Sequence, residues 1–330
     1  MPGATILDPT GTKLGRREAR VLRDADPWGF ILFARNIESL EQTRALCDAL
    51  RDAVGRDAPI LVDQEGGRVQ RLREPLATNW SAPFDFAEAA GEKAAEAMRL
   101  RYQITALELR AAGIDVDCAP MCDVRLPETH SFLHSRCYGT EAGRVAELAR
   151  AVAEGLMAGG VLPVMKHMPG HGRAQVDSHA DLPRVTASLE ELEAVDFAPF
   201  RALCDLPMAM TGHLVFDAID PDLPATLSPK VVQVIRERIG YDGLLMTDDI
   251  SMKALSGSPA ERAVGALEAG CDLVLFCNAP LRHRARVAAA AGPMTAAAEA
   301  RAARALAARS APPALDIAAL KAKLSALLNG

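Results

Sequence analysis

The stretch "GFILFARNIESLEQTRALCDALRDAVGRDAPILVD", residues 29–63, joins two short apolar runs through an amphipathic segment. The runs 29–34 and 59–63 are short, aliphatic and closed by polar residues, which reads as two buried strands. Between them Leu40, Thr43, Leu46, Ala49, Leu50 and Ala53 recur at helical spacing, so the spacing predicts a helix over 39–54. Ser39 is the expected N-cap, and Gln42 three residues on completes a capping-box pattern. A strand, a helix and a second strand in this order make a parallel pair with a crossover.

The same unit recurs along the chain. Further strands are expected at 5–8, 114–119, 161–166, 207–212, 243–248 and 272–277, which makes eight in all. Helical stretches fall at 15–25, 87–112, 141–158, 188–204, 228–238 and 259–269, and 281–309 supplies the last. Ser228-Pro229 caps and opens the helix at 228, and Gly240 stops it. Eight units with nothing left over imply an α/β fold, a closed (β/α)8 TIM barrel in a single domain over 1–330. The C-terminal helices 281–330 are expected to pack on the barrel, with a solvated arginine face, a break at Pro312-Pro313 and a short helix near 316–328. An open doubly wound sheet would prefer a glycine-rich phosphate loop after the first strand, and "LDPTGTKLG" does not match one.

Composition narrows the function classes. With 330 residues, 49% hydrophobic and 24% charged, the chain can bury a large core. A net charge of −6 argues against nucleic acid or an anionic membrane as partner. The first residues, "MPGATILDPTGTKLG", do not read as a signal peptide, and no apolar run is long enough to span a bilayer. Seven scattered cysteines fit reduced thiols in the cytoplasm better than a disulfide framework. Cys118 and Cys122 lack a second pair and read as core residues.

In a barrel the chemistry gathers where strands end. Seven strand ends here carry polar groups: Arg35-Asn36, Asp63 with Gln64, Glu65, Arg68 and Arg71, Asp117 with Asp123, Lys166-His167, His213, Thr247-Asp248-Asp249, and Asn278. A buried Lys166 expects a carboxylate or a polar ligand beside it. The loop "KHMPGHGRAQVDSH", 166–179, concentrates three histidines. His167 and His171 are four apart, but Pro169 and Gly170 spoil the helix that would make that spacing a zinc pair, so no metal is assigned. Asp177 and His179 are two apart on an extended segment, where the acid can orient the imidazole and raise its basicity.

The stretch 234–251, "VIRERIGYDGLLMTDDIS", resembles the active-site signature of glycoside hydrolase family 3. The loop 166–179 and the segments "VDQEGGRVQR", "ILFARN" and "DPDLPATLSP" resemble the bacterial β-N-acetylglucosaminidases of that family, in the right order over about 5–280. Met168 stands where an aromatic is expected, and 125–139 is only loosely like its counterpart. The resemblance implies a retaining exo-β-N-acetylglucosaminidase acting on cell-wall fragments, a small saccharide or muropeptide. It implies Asp248 as nucleophile, His179 as acid/base and Asp177 as its orienter. It implies Asp63, Arg71, Arg136, Lys166 and His167 as sugar-binding residues, with His213 as a further pocket residue, and no cofactor. A metal-dependent hydrolase using the histidine loop and a non-catalytic sugar-binding barrel are the alternatives.

Overall fold

A computed structural model of the chain describes residues 1–176, 182–311 and 314–329. All eight apolar runs are strands of one parallel sheet: β1 Gly3–Leu7, β2 Pro27–Leu32, β3 Ile60–Val62, β4 Val116–Asp117, β5 Leu162–Met168, β6 Met208–Thr211, β7 Leu244–Met246 and β8 Val274–Phe276. Each strand pairs with its neighbours in sequence, and β1 also pairs with β8 through Leu7 opposite Phe276. A bridge between Met246 and Leu273 joins β7 to β8, with the Thr247 N–H donating to the Leu273 carbonyl at 3.0 Å. The ring is closed, which excludes the open sheet.

Alternation along the strands decides what faces inward. Leu162, Val164, Met208, Met210, Leu244 and Met246 belong to an inner cluster. Met165, Ala209 and Leu245 belong to the outer layer under the helices. Two-residue periodicity carried one step further puts Lys166 after Val164, Asp248 after Met246 and Asp63 after Leu61 on the inward side at the C-terminal mouth.

The opposite end is plugged. The stretch expected as one helix over 281–309 is two, Leu281–Ala291 and Ala296–Ala307. Gly292, at φ +67, turns the chain between them, and its carbonyl accepts from the Ala4 N–H at 2.9 Å. Met294, Ala298, Ala302 and Ala305 then join the inner cluster, so the second helix closes the bottom of the barrel. Arg304, like Arg282 and Arg286 before it, stays exposed as expected, whereas Arg301 bridges Asp242 and Asp272, and Arg309, just past the helix, pairs with Asp57 and Asp115. The last helix, Ile317–Asn329, packs Leu324 into the outer layer, and Lys321 and Lys323 reach Glu108 and Glu96.

Other boundaries move for local reasons. The helix expected over 87–112 breaks at Gly91, φ +56, into Pro83–Ala90 and Ala94–Ala111 joined by a 3-10 turn. Ser39 caps Leu40–Val54 as expected, but the Gln42 side chain accepts from the Glu38 N–H at 2.8 Å instead of the N-cap N–H. Cys118 and Cys122 are buried, and all seven cysteines are free thiols.

Because the plug lies at the far end from the strand-end carboxylates, it can be weakened separately. Met294→Ala is expected to cost about 2–4 kcal/mol by leaving a cavity under the barrel. Thermal unfolding should register the loss while turnover per folded molecule stays unchanged. Equal stability would mean that the plug does not hold the barrel.

Candidate active site

A cavity of about 290 Å³ opens at the C-terminal mouth, lined by Asp63, Arg71, Arg136, Lys166, His167 and Asp248, with Arg68, Val69, Phe132 and Met210 completing the wall. Its size is at the low end for small-molecule sites. These residues come from four strands and two connecting loops, so the barrel assembles them from positions far apart in sequence.

Lys166 is the centre of the charge network. Its ammonium donates to Asp63 at 3.1 Å and pairs with Glu65 at 2.6 Å. Glu65 also takes both ends of the Arg136 guanidinium, at 2.9 and 2.8 Å, and Asp63 takes Arg71 at 3.0 Å. Burial opposes ionisation at each of these groups, yet the partners outweigh it. Arg136 and Lys166 hold the Glu65 carboxyl well below the usual range, Lys166 and Arg71 hold Asp63 low, and Glu65 and Asp63 raise the Lys166 ammonium. Glu65 was visible in the sequence only as a strand-end neighbour, although the need of a buried lysine for a carboxylate was a pointer to it.

The aspartate pair at the end of β7 divides its labour. Asp249 is saturated: its carboxylate accepts from Ser251 N–H at 2.9 Å, Ser251 hydroxyl at 2.7 Å, Cys277 N–H at 3.2 Å and Cys277 thiol at 2.8 Å. Asp248 lines the cavity, and its Oδ1 accepts from the Asp249 N–H at 2.7 Å. Burial resists the charge on Asp248, but the imidazoles of His213 and His167, that N–H and Lys166 together hold its carboxyl below the usual value. Asp248 is therefore an anion at the cavity wall, with one carboxylate oxygen that has no partner among the described residues.

His213 does not line the cavity, contrary to the expectation of a pocket residue. Its Nε2 donates to the Asp249 carbonyl at 3.1 Å, and its Nδ1 lies in hydrogen-bond contact with the Thr226 hydroxyl at 2.8 Å. Burial pushes its imidazole down, against the pull of the Asp248 carboxylate. It props the Asp248–Asp249 turn from behind.

His167 lines the cavity, and its Nδ1 bonds Asp123 at 2.7 Å. Asp123 also accepts the His171 N–H at 2.6 Å, so one buried carboxylate gathers the start of the 166–179 loop. The turn through Pro169 and Gly170 thus brings the two histidines together without a helix; their ring centroids are 5.2 Å apart. No local pattern ties Asp123 to a histidine 44 residues away. His179 and Asp177, the expected acid/base and its orienter, lie outside the described residues.

Residues 5–307 match the glycosyl hydrolase family 3 N terminal domain. The chain belongs to this family. It is 40% identical over 295 residues to a beta-hexosaminidase of Alkalilimnicola ehrlichii, covering 85% of this chain and 84% of that one. Among solved structures it resembles native NagZ from Neisseria gonorrhoeae, with a TM-score of 0.85 and 31% identity over 99% of this chain and 96% of that chain. That NagZ has also been solved in complex with N-trifluoroacetyl-D-glucosamine and in complex with zinc ion. As a member of glycosyl hydrolase family 3 the chain is a glycoside hydrolase.

Asp117, beneath the charge network, offers a test of the site's electrostatics. Its Oδ1 accepts from the Gln64 N–H at 2.9 Å, and its Oδ2 is buried with no partner among the described residues. Burial, with Asp63 and Glu65 adding repulsion, pushes its carboxyl up to about 7. The folded state therefore holds this proton more tightly than the unfolded chain, whose value is about 3.9. Ionising Asp117 costs the fold stability progressively as pH rises from about 4 to about 7, and no further above that. Asp117→Asn should gain stability relative to the parent across this window and plateau above it, in urea unfolding at several pH values. A difference that is constant with pH would contradict the raised value.

Proposed function

We propose that the chain is a retaining exo-β-N-acetylglucosaminidase. It releases non-reducing terminal N-acetylglucosamine from peptidoglycan fragments, such as GlcNAc-1,6-anhydro-MurNAc with or without its peptide. The observation that carries this reading is the anionic Asp248, with one oxygen unpartnered among the described residues, in a small cavity walled by Asp63, Arg71, Arg136, Lys166 and His167. The beta-hexosaminidase relative and the neighbour solved with an N-acylated glucosamine support the sugar class.

In this reading Asp63, Arg71, Lys166 and His167 hold the sugar hydroxyls, and Arg136 keeps the Glu65–Lys166 pair in place at the wall. An Asp248 oxygen attacks the anomeric carbon while the bond from that carbon to the aglycone oxygen breaks. His179, oriented by Asp177, gives its proton to the departing oxygen. Water then attacks the covalent glycosyl-enzyme, the bond to Asp248 breaks, and His179 takes the water's proton. Two displacements at one carbon retain its configuration. The reaction asks for no cofactor. We read the whole chain as the one catalytic domain, with a cytoplasmic location supported by its seven free thiols. No described helix is long and apolar enough to cross a membrane.

Release of nitrophenol from p-nitrophenyl β-N-acetylglucosaminide, beside the β-glucoside, tests the sugar class. The N-acetyl sugar should be turned over much faster, with a β-anomer appearing first by NMR. Asp248→Ala should lower kcat by at least about a thousandfold without unfolding the chain. Substantial residual turnover would remove Asp248 from the nucleophile role.

His179→Ala separates proton donation from binding. It should slow disaccharides with poor leaving groups far more than activated aryl glycosides. Equal losses on both would assign the proton to another group.

A further inference from the structure

Three guanidinium groups converge on one carboxylate oxygen at the N-terminal end of the barrel, opposite the mouth. Arg51 lies in the last turn of the helix Leu40–Val54, Arg110 in the last turn of Ala94–Ala111, and Arg309 just past the plug helix Ala296–Ala307. Asp115, 1% exposed and just ahead of β4, places its Oδ2 at 3.1 Å from Arg51, 2.5 Å from Arg309 and 3.5 Å from Arg110. Its Oδ1 accepts from the Ile60 N–H at 2.7 Å, so both oxygens are already engaged. A cleft of about 260 Å³ opens over the three arginines, with Gly113, Ser310 and Ala311 on its walls.

Arg110 is the anomaly. Its approach to Asp115 is an ion pair only: the guanidinium donates no hydrogen bond among the described residues, and its Nε is buried. A buried unpaired donor costs free energy, and such an atom asks for a reason. Burial, with Arg309 and Arg51 beside it, lowers the Arg110 guanidinium from the usual arginine value, and Asp115 and Asp57 offset only part of this. The remaining acids stand at the rim. Asp57, its side chain 68% exposed, pairs with Arg51 and Arg309, and the exposed Asp48 is 3.8 Å from Arg51. The interior of the cleft is therefore left with an excess of positive charge.

We propose that this cleft binds a phosphate group, as inorganic phosphate or on a small monoester. Arginine forks match the spacing of phosphate oxygens. Three forks from three separate elements suit a tetrahedral group with three or four acceptor oxygens better than a planar carboxylate with two. Arg110 supplies donors that no described residue uses. Asp57 gives way, because its solvated carboxylate competes with the ligand for Arg51 and Arg309. A bound phosphate ties two helix ends of the barrel wall to the plug, so its effect falls on stability and not on the chemistry at the other end.

The test uses the full-length protein in chloride buffer at fixed ionic strength. Inorganic phosphate and glycerol 3-phosphate are titrated separately in a calorimeter. At least one should bind at one equivalent, and the tighter of the two identifies the source of the group. A ligand that binds should raise the unfolding temperature by about 2–4 °C at ten times its Kd, with no such rise from chloride at the same ionic strength. Arg110→Gln should weaken binding by at least about tenfold and remove the shift. Asp57→Asn should tighten binding about two- to fivefold, since a competing carboxylate is gone. Without phosphate Arg110→Gln should unfold no lower than the parent, because it loses no hydrogen bond and relieves the repulsion with Arg51 and Arg309.

Binding of neither compound would overturn the site. So would binding that Arg110→Gln retains, which would move the phosphate to the arginines of the barrel mouth. A variant that unfolds lower than the parent both with and without phosphate would make Arg110 a structural partner of Asp115 and nothing more. A shift that chloride reproduces would be charge screening, and would equally remove the site.

Discussion

The ammonium of Lys166, clasped between Asp63 and Glu65, is the interaction on which the mouth of the barrel depends. An unpaired ammonium at that depth would be strongly destabilising, so the two carboxylates are obligatory partners. Each carboxylate is in turn held by an arginine, Arg71 on Asp63 and Arg136 on Glu65. The result ties the ends of β3 and β5 to the loop that carries Arg136. Every donor direction in the cavity wall is thereby set before substrate arrives, which is what orientation and electrostatic preorganisation require.

Around that network the fold separates tasks. At the C-terminal end of the strands Asp248 and Asp249 are adjacent in sequence but opposite in role. One lines the cavity, and the other consumes its oxygens on Ser251 and Cys277. His213 and Thr226 fix the backbone between them from behind. At the N-terminal end Met294, Ala298, Ala302 and Ala305 plug the barrel, and Arg301 and Arg309 lock the plug to buried acids. Chemistry and closure thus occupy opposite ends of one inner column of side chains.

The loop that begins at Lys166 joins several demands within a few residues. Lys166 belongs to the charge network and His167 to both the cavity and Asp123, while the His171 ring nitrogens have no partner among the described residues. One carboxylate, Asp123, organises the two histidines.

The alternation of short apolar runs and amphipathic stretches determined the barrel, because strand and helix periodicities are local and eight units leave few topologies. The polar residues placed just after those runs, Asp63, Lys166 and Asp248, were legible for the same reason: strand parity carries them to the mouth. Helix breaks at Gly91 and Gly292 were not, since a glycine in an alanine-rich run says little until its left-handed backbone is needed for a turn. Nor was the arginine-rich tail readable as a plug, because amphipathicity does not say which surface a helix covers. Only the tertiary structure decided that Glu65 neutralises Lys166 and Arg136, that Asp123 gathers two histidines, and that His213 stands behind Asp248 and Asp249 instead of lining the cavity. These are contacts between residues tens of positions apart, created by closing the ring, and no local pattern encodes which partner a buried charge will meet.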